Sequence, residues 1–347
     1  MFSTRIATQI YAKICFETTS GQKKIIEKLS EYLADDDFSR IFVLNGYAGT
    51  GKTTLIAALV GALKDLNIKP VLLAPTGRAA KVLAQYAQEK ALTIHKRIYR
   101  QRTNADYESK YSLNINTEKG AVFIVDEASM LSDTPGDGAL FGSGSLLEDL
   151  VQYVRSGRAC RLILVGDPDQ LPPVGPGNFL RDIIASQRVP TIQLTEIFRQ
   201  AQKSDIVMNA HAVNEGHMPT PSGADGDFFF MKRGDAASVI ETVAQLCSQR
   251  LPAHYGFSPS QIQVLSPARR QGSGTAALNR RLQEALNPPS ENRREKRFGD
   301  IIFREGDRVM QVRNNYDIVW EREGGDETGT GVFNGDGMIS AEQVEEM

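Results

Sequence analysis

The sequence predicts an α/β protein whose parallel sheet is covered by helices on both faces. Three observations carry that expectation. Four short apolar runs, at 41–45, 70–74, 121–125 and 160–165, are nearly continuous rather than alternating, as strands buried on both faces must be. Helical periodicity marks the stretches 54–66, 77–89 and 145–155. Strands and helices interleave along the chain, which points to one sheet sandwiched between helices.

A chain of 347 residues is long enough for roughly two domains, each with its own core. Its 41% hydrophobic and 24% charged composition is that of an ordinary folded, soluble protein, which excludes disorder as the main state. The net charge of −2 excludes a protein that holds nucleic acid by bulk positive charge. The charge is unevenly spread, however. From Arg78 to Arg102 there are seven basic residues against Glu89 alone, and from Arg269 to Arg313 eleven against six acids. From Glu321 onward the balance reverses, with eight acids against Arg322. Each run reads as a solvated face by itself, and two basic runs in one chain suggest a polyanion track.

Cys15, Cys160 and Cys247 are odd in number and lack metal-ligand spacing, which argues for a reducing compartment and packing roles. No apolar run reaches membrane-spanning length, so a cytoplasmic protein without a membrane partner is expected. Arg5 and Lys13, with no acid before Glu17, would also suit a weak transit peptide.

The first strand, 41–45, runs into a glycine loop and then the helix at 54–66. Strands at 70–74, 121–125 and 160–165 follow, with polar loops expected at 104–119 and 132–144. Pro219, Pro221, Gly223 and Gly226 mark a boundary. Beyond it a second α/β pattern is expected: strand 228–231, helix 236–250, strand 261–265 and helix 274–286. Strand-like stretches at 300–304 and 307–313 open a small β module. The expected domains are thus a helical lead-in at 1–36, a first α/β domain at 37–216, a second α/β domain at 227–297, and the start of a β module with an acidic tail at 298–347.

The loop between the first strand and its helix reads Gly46, Tyr47, Ala48, Gly49, Thr50, Gly51, Lys52, Thr53. Its glycines let backbone N–H groups turn toward phosphates, Lys52 can reach the terminal phosphate, and Thr53 can ligate Mg²⁺. The following helix aims its positive end at the same anion. This is a P-loop, and Gly46, Ala48, Gly49, Thr50, Gly51, Lys52, Thr53 and Thr54 are its expected ATP contacts. The apolar strand at 122–125 ends in Asp126 and Glu127. Asp126 would hold Mg²⁺ through water, and Glu127 would orient or deprotonate the attacking water. Gln170, in the turn after the strand at 160–165, suits sensing of the terminal phosphate or the water. Arg199 could stabilise transition-state charge, and by chemistry alone it fits a surface ion pair equally well.

Taken in order, the segments 46–53, 74–80, 93–95, 126–130, 166–174 and 195–199 resemble the motifs of RecD-like superfamily 1B DNA helicases. The resemblance continues through 265–270, 277–281 and 306–315 to 333–336 and so covers most of the chain. It implies a P-loop NTPase (RecA-like) parallel sheet, a partial second RecA-like lobe and the start of an SH3-like β module. It also implies ssDNA-stimulated ATP hydrolysis with Mg²⁺, 5′-to-3′ translocation on single-stranded DNA, and work in DNA repair or recombination. On the same resemblance Lys52, Thr53, Asp126, Glu127, Gln170 and Arg199 take the ATPase roles given above. Gln22 matches an adenine-reading glutamine, with an exposed helix residue as the competing reading. Thr76, Arg78 and His95 match motifs that contact the single strand, although His95 by itself suits a packed histidine.

Two motifs that such helicases carry after the β module, one of them with a second catalytic arginine, do not occur among these 347 residues. The expectation is a fragment with impaired unwinding, completed by another helicase segment or by recombination proteins. An ATP- and DNA-binding module without unwinding is the main alternative, and a small-molecule P-loop kinase a lesser one. In the tail, residues 334–342 resemble the middle of a calcium-binding loop, but Val332 and Gln343 would then stand where carboxylates are required.

Overall fold

The computed structural model describes residues 2–37, 41–47, 49–101, 111–133, 141–173, 177–196, 203–223, 225–291, 293–312, 315–321, 328–332 and 337–338. The chain divides into two compact units, Met1–Phe228 and Phe229–Met347.

The first unit opens with helices α1 (Phe2–Ala12) and α2 (Ser20–Ala34), followed by β1 (Ile41–Gly46), α3 (Lys52–Asp65), β2 (Pro70–Ala74) and α4 (Gly77–Ala87). Next come β3 (Ala91–Thr93), the short α5 (Ile94–Ile98), and a small hairpin of β4 (Tyr99–Gln101) and β5 (Tyr111–Leu113). The unit continues with β6 (Val122–Val125), α6 (Leu146–Ser156), β7 (Arg161–Gly166), α7 (Phe179–Ser186), β8 (Thr191–Leu194) and α8 (Asp205–Asn214). Six strands form one all-parallel sheet in the order β3-β2-β6-β7-β1-β8.

The continuous apolar strands now have their reason. Alternate residues enter two separate cores, one on each face of the sheet. Phe42, Leu44, Leu72, Ile124, Ile163 and Val165 pack with α1 to α4, while Val43, Leu73, Phe123, Val125, Leu162 and Leu164 pack with α5, α6 and α7. Helix ends follow their side chains. Thr19, Thr76, Thr93, Ser145, Asn178 and Ser204 each cap a helix by accepting a backbone N–H.

The first dozen residues, which by charge would suit a transit peptide, form α1, and Ile6 and Ile10 are fully buried in the core beside α3. The Lys13 stem lies across Gly61 of α3, and its ammonium pairs with Asp65 at 2.7 Å. Ile10→Val is expected to cost about 1 kcal/mol of unfolding free energy through the lost methyl group and the gap left behind, measurable by urea denaturation. Among the described residues no helix is long and apolar enough to cross a membrane.

The second unit departs from its sequence expectation. Neither 228–231 nor 261–265 is a strand. A strand is secured by its neighbours' hydrogen bonds, and without such a ladder Phe229, Phe230, Met231 and Leu265 stay exposed. The helix expected at 236–250 ends as α9 (Ala236–Gln245), opens into a π-helical turn at Leu246–Arg250 and resumes as α10 (Leu251–Tyr255). Pro252 explains the break, since it has no N–H to give and its ring crowds the preceding turn. Helix α11 (Thr275–Leu286) follows, then the hairpin of β9 (Glu295–Phe298) and β10 (Ile301–Arg304). Finally β11 (Val309–Met310), β12 (Asn315–Glu321), β13 (Thr328–Val332) and β14 (Gly337–Met338) form two antiparallel pairs, β12 with β13 and β11 with β14.

Part of the basic charge is locally matched. Arg97 and Lys69 share Glu118 at 2.5 and 2.7 Å, which removes Arg97 from any open track in the first run. In the second run Arg281 pairs with Glu241 at 2.9 Å, Arg304 with Glu295 at 2.6 Å and Arg294 with Glu305 at 3.6 Å.

Candidate active site

All six strands of the sheet point the same way, so their carboxyl ends share one edge, and the chemistry-bearing residues lie along it. β1 delivers the glycine loop. Gly49 and Gly51 adopt φ of 76° and 85°, a left-handed backbone that glycine takes without strain. Thr50, buried, donates through Oγ1 to the Tyr47 carbonyl at 2.7 Å and tightens the loop. Lys52 opens α3, and its ammonium donates to the carbonyls of Gly46 and Tyr47, the latter at 2.9 Å. Thr53 is half-buried on the first turn of α3 and Thr54 is exposed. Ala48 lies outside the described residues.

The neighbouring strand β7 ends at Gly166 and hands over to Asp167, whose buried carboxylate lies 3.9 Å from the Lys52 ammonium. Next along the edge, β6 ends at Asp126 and Glu127. Glu127 has φ of 54°, uncommon for a residue with a side chain, and this sharp reversal starts the 3₁₀ turn Ala128–Met130. Glycine at 166 leaves room for that turn: a Cβ there would stand 2.7 Å from the Leu180 side chain and 3.1 Å from the Ser129 amide, so one of them would have to shift. The Glu127 N–H donates to Asp126 Oδ1 at 3.0 Å.

Charge is crowded here. Burial pushes the Lys52 ammonium below its ordinary range, against the pull of Asp167, Glu127 and Asp126. Burial pushes the Asp126 carboxyl up, opposed by the Glu127 amide and Lys52. Burial and the Asp126 charge together push the Glu127 carboxyl up, with Lys52 opposing. One cation and three carboxylates therefore share a partly desolvated pocket.

The remaining expected residues divide. Gln170 is exposed on the turn that Asp167 begins, its N–H donating to the Asp167 carbonyl at 3.2 Å. Arg199 lies outside the described residues. Gln22 is buried rather than solvent-exposed. It closes a capping box at the start of α2, accepting from the Thr19 N–H at 3.1 Å while Thr19 Oγ1 accepts from its N–H at 3.3 Å. Just beyond β8, Glu196 accepts from Ser20 Oγ at 2.6 Å and from the Gly21 N–H at 3.2 Å, and hydrogen bonds from Ser20, Thr19 and Gly21 hold its carboxyl below the usual range.

Thr76 and Arg78 stand where β2 passes into α4. Thr76 Oγ1 is occupied as the helix cap, and Arg78 is exposed. His95 follows β3 in α5, half-buried against Tyr99 and Phe141 with ring centroids at 5.7 and 5.1 Å. Burial pushes its imidazole below its ordinary value.

Sequence reasoning missed a role for Asp167. The available signal was an acid directly after an apolar strand, overshadowed by Gln170 in the same turn. It also missed Asn45 and Ser129, whose side-chain oxygens are buried without hydrogen-bond partners among the described residues.

A family model described as AAA domain matches residues 17–226, and one described as ATP-dependent RecD-like DNA helicase SH3 domain matches residues 278–346. The chain belongs to the AAA-domain family. The second match runs through the acidic tail. The calcium-loop reading depends on residues 333–336 and 339–343, which lie outside the described residues, and among the described residues no group of three or more Asp, Glu, His or Cys side chains is arranged to hold a metal ion by itself.

This chain is 33% identical over 298 residues to the ATP-dependent RecD2 DNA helicase of Deinococcus radiodurans, covering 85% of this chain and 37% of that protein. It is 34% identical over 170 residues to the RecBCD enzyme subunit RecD of Mycobacterium tuberculosis, covering 42% of this chain and 26% of the subunit. A crystal structure of the Pif1 helicase from Candida albicans aligns at 17% identity with a TM-score of 0.46, covering 92% of this chain and 68% of that one. The chain spans well under half the length of these curated relatives.

Proposed function

We propose that this chain hydrolyses ATP when single-stranded DNA binds, as the first lobe of a 5′-to-3′ DNA translocase. The observation that supports it most is the convergence of the glycine loop, Lys52, Asp126, Glu127 and Asp167 on the adjacent carboxyl ends of β1, β7 and β6. The loop offers backbone N–H groups and the start of α3 to a phosphate chain, and Lys52 adds a charge that burial has left in need of an anion.

The donors also fit Mg²⁺: the Thr53 hydroxyl and the Asp126 carboxylate are hard oxygen ligands beside the phosphate loop. When bound with ATP, the ion neutralises charge on the phosphate oxygens. Glu127 orients the attacking water and takes its proton, a role suited to a carboxyl whose pKa burial has raised. Gln170 senses the terminal phosphate, Arg199 offsets transition-state charge, and Gln22 reads adenine. Thr76, Arg78 and His95 serve DNA from the β2 and β3 half of the same edge. Unwinding calls for the two motifs absent from these residues, which a complementing helicase segment or a recombination protein would supply.

The test is the ATPase rate with and without single-stranded DNA. Strong stimulation is expected, and Arg78→Ala should weaken DNA binding and lower its salt slope by about one. Tight DNA binding without turnover would instead mark a binding module, and phosphate transfer to a small acceptor would overturn the proposal.

A further inference from the structure

His211 on α8 has no role in the scheme above, yet its ring meets the phosphate loop. It stands edge-on to Tyr47, with centroids 5.2 Å apart and planes at 89°. Tyr47 is an unusual place to press. Its carbonyl accepts both from Thr50 Oγ1, which tightens the loop, and from the Lys52 ammonium. A shift of Tyr47 would move the acceptor that holds Lys52.

The histidine is carried on a firmly tied element. Ser204 caps α8, and Asp227 accepts from Ser204 Oγ at 2.6 Å and from the Ile206 N–H at 3.1 Å. Asn209 bonds Thr220 twice, at 2.8 and 2.6 Å, and Ser222 Oγ donates to Asp205 at 2.5 Å. Helix α8 is thus laced by side chains to Thr220, Ser222 and Asp227. His211 Nε2 is itself buried without a hydrogen-bond partner among the described residues, so at that nitrogen no hydrogen bond places the ring. Among the described residues its ring contact is with Tyr47.

We infer that His211 is a positioning residue of the phosphate loop, which sets the posture of Lys52 through Tyr47. The inference rests on the ATP reading of the site. An edge-to-face contact fixes its partner's orientation as well as its distance, and small displacements at a phosphate site are costly.

The experiment measures ATP affinity with a fluorescent ATP analogue, and KM and kcat for ATP with single-stranded DNA, on the full chain. His211→Leu keeps the volume and removes the ring; it should weaken affinity and raise KM about tenfold or more, with kcat changed far less. His211→Phe restores the ring and should restore both affinity and KM. In a Tyr47→Ala background, His211→Leu should have little further effect, because the contact is already gone. Thermal unfolding of the two His211 variants should be alike.

Equal loss in the Leu and Phe variants, additive loss with Tyr47→Ala, or affinity within twofold of the unaltered chain would each overturn the inference. Lys52→Ala, run in parallel, separates the two levels. If it leaves nucleotide binding intact, the ATP reading itself fails; if it removes binding while His211→Leu is silent, only the role of His211 fails.

Discussion

Lys52→Ala should lower DNA-stimulated ATP hydrolysis by about 10²–10³-fold or more, the usual cost of losing one charged donor aimed at developing negative charge. Little else can substitute. Among the described residues at this edge, the Lys52 neighbours are carboxylates, Asp167 at 3.9 Å with Asp126 and Glu127 close enough to perturb it. The variant would leave three crowded acids facing the phosphates, so nucleotide binding should fall with turnover. A rate within tenfold of the unaltered chain would show that the loop is not the hydrolytic site.

Glu127→Gln should behave differently: about 10²–10⁴-fold slower turnover with nucleotide binding retained, because it removes a proton acceptor while keeping shape and polarity. It also carries a stability signature with a definite sign. Burial and the Asp126 charge raise the folded-state Glu127 pKa, so the carboxyl's contribution to stability is present below its unfolded value of about 4.3 and is lost as pH rises through the raised folded value. Glutamine is neutral throughout. The gain in melting temperature of Glu127→Gln over the unaltered chain should therefore be larger at pH 7 than at pH 4, and the reverse order would mean that Glu127 is not held in this desolvated setting.

The first unit was legible because its signals are local. Continuous apolar runs such as 122–125 specify strands buried on both faces, and the glycine loop specifies its own backbone. What escaped depends on meetings between distant residues. No spacing announces that Asp167 will face Lys52 from the next strand, that Arg97 will be spent on Glu118, or that Gln22 will close a helix cap. The 228–231 run failed as a strand for a related reason, since β structure belongs to pairs of segments rather than to one. The helix at 236–250 had its interruption in plain view, in Pro252, but a π-helical turn before a proline has no periodic signature of its own.

The packing of α1 has a practical consequence. Ile6 and Ile10 share a core with α3, the helix that Lys52 begins, and Lys13 lies across that helix at Gly61. The opening residues are thus a foundation for the catalytic machinery although they never approach it. Protease nicking within α1, or a polar substitution at Ile6 or Ile10, would loosen nucleotide capture from the opposite end of α3, and such damage would masquerade as a defect in the phosphate loop.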